Sequence, residues 1–382
     1  MDFSMTKEQE LLRDAVAGYL STRYDLTKSR TIAKTGAGIA PEVWRGFAED
    51  LGILGAALPE SVGGIGGGPV ETMIVAEQLG AALVIEPYVD TVVIGGGLLQ
   101  RAGGDRAQAL LESVVGGEAI IGFAALEPKS GSSLNDVSTT ARRDGDEWVL
   151  DGAKIVVSSA PIASHLIISA RTAGDRRDTE GISLFLVEFD PANPPAGVEA
   201  KHYRTIDDRR ASDLTITGLR LPADALLGAE GGAWESIEAT IDEAIAAVSA
   251  EAVGLMRKVL NDTVEYTKQR QQFGQAIGSF QALQHRMVDM YMELEQAISA
   301  QYLATLKLDA APADRARAAS AAKVTISRAA RFIGQNAVQL HGGMGMTEEL
   351  AIGHYFKRLT AIDYEFGTSD SHVARYAKLA QG

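Results

Sequence analysis

Apolar residues change their spacing twice along the chain, and the two changes mark three stretches. In the first, Leu11, Leu12, Val16 and Leu20 recur at helical intervals, and the run Val43 through Leu54 continues the pattern to about Gly117. The glycine-rich segment Leu58 to Gly68 interrupts it as a loop. Between about Ala119 and Gly228 the period becomes two: Trp148 and Leu150, Ile155 and Val157, Leu166 and Ile168, Ile182, Leu184 and Leu186, Leu214 and Ile216. Asp144-Gly145 is a hairpin signal inside that stretch, and Gly174 to Gly181 reads as an exposed charged loop. After Gly232 the helical period returns in two long stripes, Ile237, Ile241, Ile245, Val248, Ala252, Leu255, Val259 and then Ile326, Ala330, Ile333, Ala337, Leu340. The pattern predicts a mainly α protein with a central β-domain: helices over 1–118, a small antiparallel β-domain over 119–228, and antiparallel bundle helices over 229–382.

Composition narrows the chemistry. A chain of 382 residues exceeds what one hydrophobic core usually serves, and 46% apolar with 23% charged residues is ordinary for a globular protein. With no cysteine, disulfides, thiolate nucleophiles and cysteine-held metals or clusters drop out. The six histidines lack metal-ligand spacing, so no metal is expected. A formal charge of −14 argues against nucleic acid, and an anionic ligand needs local arginine or lysine clusters. No apolar run approaches the ~20 residues that cross a bilayer, and the start is charged and amphipathic, so a cytoplasmic location without membrane insertion is expected.

Several short motifs follow one another in a telling order. They are Pro59 to Gly67 (PESVGGIGG), Glu127-Pro128 with Ser130-Gly131-Ser132, Gly152 to Ser158 (GAKIVVS), Arg210-Ala211-Ser212, Arg270 to Gly274 (RQQFG) with Gln281, and Gln339 to Gly345 (QLHGGMG). Each alone is weak: Phe273 could be core, the glycines helix terminators and Arg270 a solvated charge. Their shared order over about 300 residues carries the weight. In that order the chain resembles the acyl-CoA dehydrogenases. GGGPVETMIVAE, GISLFLV, GSFQALQHR, AVQLHGGMGMT and GHYFKRLTAID are closest in wording to the small subunit of the pimeloyl-CoA dehydrogenase type.

The resemblance implies a barrel-like β-domain, a C-terminal four-helix bundle and FAD as cofactor. It implies FAD contacts from Ser158, Arg270, Phe273, Gln281, Gln339, Gly342, Gly343 and Thr368, with Arg270 serving the flavin of a neighbouring subunit. The residue types suit that role: glycines let backbone amides approach a pyrophosphate, arginine forks onto phosphate oxygens, and Phe273 offers a face to adenine. The implied reaction is oxidation of an acyl-CoA to its trans-2-enoyl form, with an electron-transfer flavoprotein or similar acceptor. The implied assembly is a homotetramer or a heterotetramer with a larger homologous subunit, and the wording points to dicarboxylic, steroid-derived or otherwise unusual acyl groups.

The reaction needs a carboxylate base for the α-proton. The family supplies it just before Gly-Thr, but here Tyr364-Glu365-Phe366-Gly367-Thr368 puts Phe366 in that place and Glu365 one residue early. Glu365 is the leading candidate. On the first long bundle helix the alternative position falls on Ala244, with Glu243 beside it as the weaker candidate, because one residue rotates a helix by ~100°. Three other readings stay open: a non-catalytic FAD-binding or scaffolding subunit beside a larger catalytic homologue, an acyl-CoA oxidase, and a flavin hydroxylase.

Overall fold

The computed structural model describes residues 4–35 and 38–381; the start of the expected N-terminal helical stretch, through Phe3, lies outside them. Six helices come first: α1 (Lys7–Arg23), α2 (Leu26–Thr35), α3 (Pro41–Glu49), α4 (Pro69–Ala81), α5 (Gly96–Ala102) and α6 (Asp105–Val115). A π-helical run, Val89–Gly95, leads directly into α5. Thr6 and Gln9 close a capping box that starts α1. Strands follow: β1 (Ile121–Ala124), β2 (Thr140–Asp144), β3 (Glu147–Ser158), β4 (His165–Arg171), β5 (Ile182–Glu188), β6 (Val198–Arg204), β7 (Arg210–Pro222) and β8 (Leu226–Leu227). Then come α7 (Trp234–Gln269), the hairpin β9 (Gln271–Gln272) and β10 (Gln275–Ala276), α8 (Gln281–Leu306), α9 (Pro312–His341), α10 (Ala351–Tyr364) and α11 (Ser369–Ala380).

By contacts the chain forms two compact units. One holds the described residues up to Ser29, Pro69–Val84 and the described residues from Ile245 on. Its core joins Met256 and Val259 of α7, Met290 and Leu294 of α8, Ile326, Ala330 and Ile333 of α9, and Tyr355 and Leu359 of α10. The second apolar stripe read from the sequence lies wholly in this core, and the first supplies Ala252, Leu255 and Val259 to it. The four helices α7–α10 are joined by α11, which packs along α9. Helices α4 and α7 touch backbone to backbone: a Cβ on Gly254 would lie 1.9 Å from the carbonyl oxygen of Glu77, so only glycine fits.

The other unit comprises the described part of Arg30–Gly68 and Ile85–Ala244, and its centre is one eight-stranded sheet in the order β6-β7-β3-β2-β4-β5-β8, with β1 added on β4. The barrel-like, antiparallel expectation needs correcting in two respects. The edge strands β6 and β8 do not pair, so the sheet stays open, and β1–β4 and β2–β4 run parallel. The physical reason is connectivity: the long segment between β1 and β2 lets β1 return beside β4 in the same direction, which a tight turn could not do. Trp148 and Phe185 meet edge to face at 5.1 Å in its core. The β2–β3 hairpin turns at Gly145-Asp146, one residue beyond the signal, with Gly145 at φ 63° as the first central residue.

Candidate active site and cofactor-binding residues

In the bundle unit, the end of α7 packs against the end of α9, where the Gln339–Gly345 motif begins. Tyr266, in the last turns of α7, stacks on His341 at the end of α9 with ring centroids 4.2 Å apart, and its hydroxyl donates to the His341 carbonyl at 3.4 Å. Burial holds the His341 imidazole below its ordinary pKa, and Nδ1 contacts the Ala337 carbonyl at 2.8 Å, so that nitrogen carries the proton. The contact ties the last turns of α7, which lead into Arg270, to the residue that precedes the glycine turn Gly342–Met346.

Between β9 and β10 the two-residue turn is Phe273-Gly274, with φ of 54° and 79°. Such a turn needs left-handed backbone at both positions, which costs an aromatic residue about 1–2 kcal/mol. Phe273 is nonetheless 92% exposed, touching Phe280 edge-on at 6.1 Å. At that exposure the ring adds little to packing, so packing does not account for the strained backbone. Arg270 is exposed and forms no ion pair among the described residues. A Cβ on Gly342 or Gly343 would meet nothing within 4 Å, so the backbone there faces open space. Gln281 begins α8 and Gln339 lies in the last turn of α9, both exposed. Free guanidinium, open glycine backbone and bare aromatic ring fit a dinucleotide such as FAD.

The turn after α10 carries Glu365. Arg358, buried on α10, grips Glu365 through both terminal nitrogens, the second at 3.1 Å, while its Nε and Nη2 hold Glu251 of α7 at 2.7 and 2.8 Å. Using Glu365 as a base therefore requires opening that fork. Phe366 has φ 57° and Gly367 φ 106°. Thr368 caps α11, its hydroxyl accepting from the Ser371 amide at 3.4 Å, and Asp363 pairs with Arg331.

Ser158 and Glu243 belong to the other unit. Ser158, exposed at the end of β3, follows a bulge where Val156 has φ 50°, an outlier for a β-branched residue. Asp213 secures the bulge by accepting from the Val156 amide at 3.0 Å and the Tyr203 hydroxyl at 2.9 Å. Burial, with that bond, pushes the Tyr203 phenol up to about 12. Upstream, the Glu127-Pro128 segment is anchored from within. Glu127 accepts from Lys154 Nζ at 2.7 Å and from the Ser138 and Thr139 amides at 2.7 and 3.0 Å, with both charged side chains fully buried. Burial raises the carboxyl pKa, but Lys154 and these donors outweigh it and bring Glu127 to about 2; burial pulls Lys154 to about 8 against the opposing effect of Glu127. Glu243 is forked by Arg101, which also donates to the Thr240 hydroxyl at 3.3 Å.

Sequence reasoning missed Arg358 and Glu251, 107 positions apart, along with Lys154, Lys323 and the Val156 bulge. None of these has a local pattern that distinguishes it from an ordinary helix or strand residue. No group of three or more histidine, aspartate or glutamate residues gathers as a metal site among the described residues, and no helix among them is long and apolar enough to cross a membrane.

Comparison with known families matches residues 6–118 to the acyl-CoA dehydrogenase N-terminal domain, 122–218 to the middle domain and 231–380 to the C-terminal domain. The acyl-CoA dehydrogenase FadE12 of Mycobacterium tuberculosis is 31% identical over 360 residues, covering 92% of this chain and 90% of that one. Among solved structures, butyryl-CoA dehydrogenase from Megasphaera elsdenii superposes with a TM-score of 0.90 at 25% identity, covering 100% of both chains. A chain of the ChsE4-ChsE5 complex from Mycobacterium tuberculosis gives 0.89 at 25% identity, again covering 100% of both. The likeness runs through all three segments, and the chain therefore belongs to the acyl-CoA dehydrogenase family, oxidoreductases that act on acyl-CoA with FAD.

Proposed function

We propose that this chain oxidises an acyl-CoA thioester to the trans-2-enoyl-CoA, with Glu365 taking the α-proton. Bound FAD supplies the acceptor for the hydride that leaves the β-carbon. Arg270 and the amides at Gly342 and Gly343 hold the dinucleotide phosphates, Phe273 stacks on its adenine, and Gln281, Gln339 and Thr368 add polar contacts. From the β-domain, Ser158 hydrogen-bonds the flavin edge, aimed by the bulge at Val156. Release of Glu365 from Arg358 exposes a carboxylate on a turn otherwise fixed in place, and Arg358 keeps Glu251 as its counter-ion meanwhile. The observation that carries the reading is the strained, bare ring of Phe273, four residues beyond the α7 helix whose Tyr266 stacks on His341 at the start of the open glycine turn. The working assembly is a tetramer or heterotetramer that passes electrons to an electron-transfer flavoprotein or a similar acceptor.

One observation favours a second reading, in which the chain is a non-catalytic subunit beside a larger catalytic homologue. Both Glu365 and Glu243 are engaged by an arginine fork, and Phe366 fills the place before Gly367. ChsE4-ChsE5 is itself a complex of two named components. Single-turnover flavin reduction by acyl-CoA in Glu365→Gln and Glu243→Gln separates the two. A loss of at least 100-fold confined to Glu365→Gln supports Glu365 as base, because removal of a general base costs about 10²–10⁴. Undiminished rates in both variants remove both assignments.

A further inference from the structure

Lys323, on α9, is fully buried, yet no carboxylate is bonded to it. Its Nζ donates instead to three backbone carbonyls: Ile362 at 2.8 Å, Asp363 at 3.0 Å and Gly367 at 3.0 Å. An ammonium has three N–H groups, so the site satisfies all of them. The first two carbonyls lie in the last turn of α10, where the helix has no N–H of its own to offer and its dipole favours a cation. The third belongs to Gly367, which like Phe366 before it has positive φ. A single cation thus ties together the two sides of a strained kink.

The charged groups facing Lys323 are Glu365, Asp363 and Arg358. Both carboxylates are already engaged, Glu365 by Arg358 and Asp363 by Arg331. From α11, His372 Nε2 contacts the Phe366 carbonyl at 2.9 Å. A buried ammonium without a bonded carboxylate is expensive to desolvate, and an apolar side chain of similar length would fill the space without that cost. The carbonyl cage accounts for a lysine here.

We infer that Lys323 is a positioning residue, an internal cap that fixes the backbone from which Glu365 and Thr368 project. The inference deepens the proposed reaction and rests on that reading for its kinetic consequence, but the cap itself is testable without it. The test is Lys323→Met in the full-length FAD-loaded protein, followed by amide hydrogen exchange and by single-turnover flavin reduction across acyl-CoA concentrations. Exchange at Phe366 to Ser371 should accelerate at least tenfold, while the core of α7 between Leu255 and Val259 changes less than twofold. The limiting reduction rate should fall at least tenfold, with the half-saturating acyl-CoA concentration moving less than threefold. Lys323→Gln keeps two N–H donors and should fall between wild type and Lys323→Met in both readouts; it stands in if the methionine variant does not fold. Exchange within twofold of wild type at the turn, or an equal loss of protection across the whole bundle, overturns the inference. If the exchange result holds but flavin reduction is unchanged, the cap is real and it is the assignment of Glu365 as base that falls.

Discussion

Among the described residues two lysines are completely buried, one in each unit, and they are accommodated in opposite ways. Lys154 meets the carboxylate of Glu127, and the pair gathers the segment from Glu127 to Thr139 around a single charged contact. Lys323 meets only carbonyl oxygens. Deleting one member of the first arrangement strands an opposite charge in the interior, whereas deleting Lys323 strands three dipoles. The β-domain site thus trades one charge against another, while the bundle uses a charge to hold backbone where the helix can no longer do so.

The sharpest way to break this contrast is Glu127→Gln, which leaves Lys154 buried beside a neutral amide. Breaking one side of a buried pair costs about 3–5 kcal/mol, to be read as a lower urea midpoint at unchanged slope. The double change Glu127→Leu with Lys154→Met should lose less than Glu127→Gln, since no charge is then left unpaired. Lys323→Met should cost about 1–3 kcal/mol, the penalty for unsatisfied buried acceptors, and so fall below Glu127→Gln in the same titration.

Acid provides a smaller, graded version of the first test. The folded pKa of Glu127 is about 2, below its ordinary value of 4.5. Its contribution to stability is therefore complete above pH 4.5 and is lost as pH falls from there toward 2. Thermal midpoints of wild type and Glu127→Gln should converge over that window; a constant gap down to pH 2 would remove the pair from the account.

What the sequence revealed depended on whether the deciding contacts were local. Helical stripes such as Ile326 to Leu340 and the strand alternation around Trp148 and Leu150 are local, and they appear in the cores where expected. The segments Arg270 to Gly274 and Gln339 to Gly345 could be picked out because their adjacent residue types form short, ordered motifs, though the Phe273-Gly274 hairpin itself was not foreseen. The open, partly parallel strand order could not, because the pairing of β1 with β4 joins residues 44 positions apart, such as Ile121 and His165. The fork from Arg358 to Glu251 spans 107 positions and reads in sequence as two unrelated helix charges. Lys323 reads as a surface lysine on an amphipathic helix until the kink at Phe366 folds back over it. Val156 gave no signal at all, since valine in a strand pattern is the ordinary case.

The most direct check of the central claim is the visible absorption spectrum of the purified chain, loaded with FAD and titrated anaerobically with acyl-CoA. The account predicts a yellow protein whose flavin band near the visible maximum bleaches on mixing. A preparation that takes up no FAD, or one whose FAD stays oxidised with every acyl-CoA tried, would contradict it.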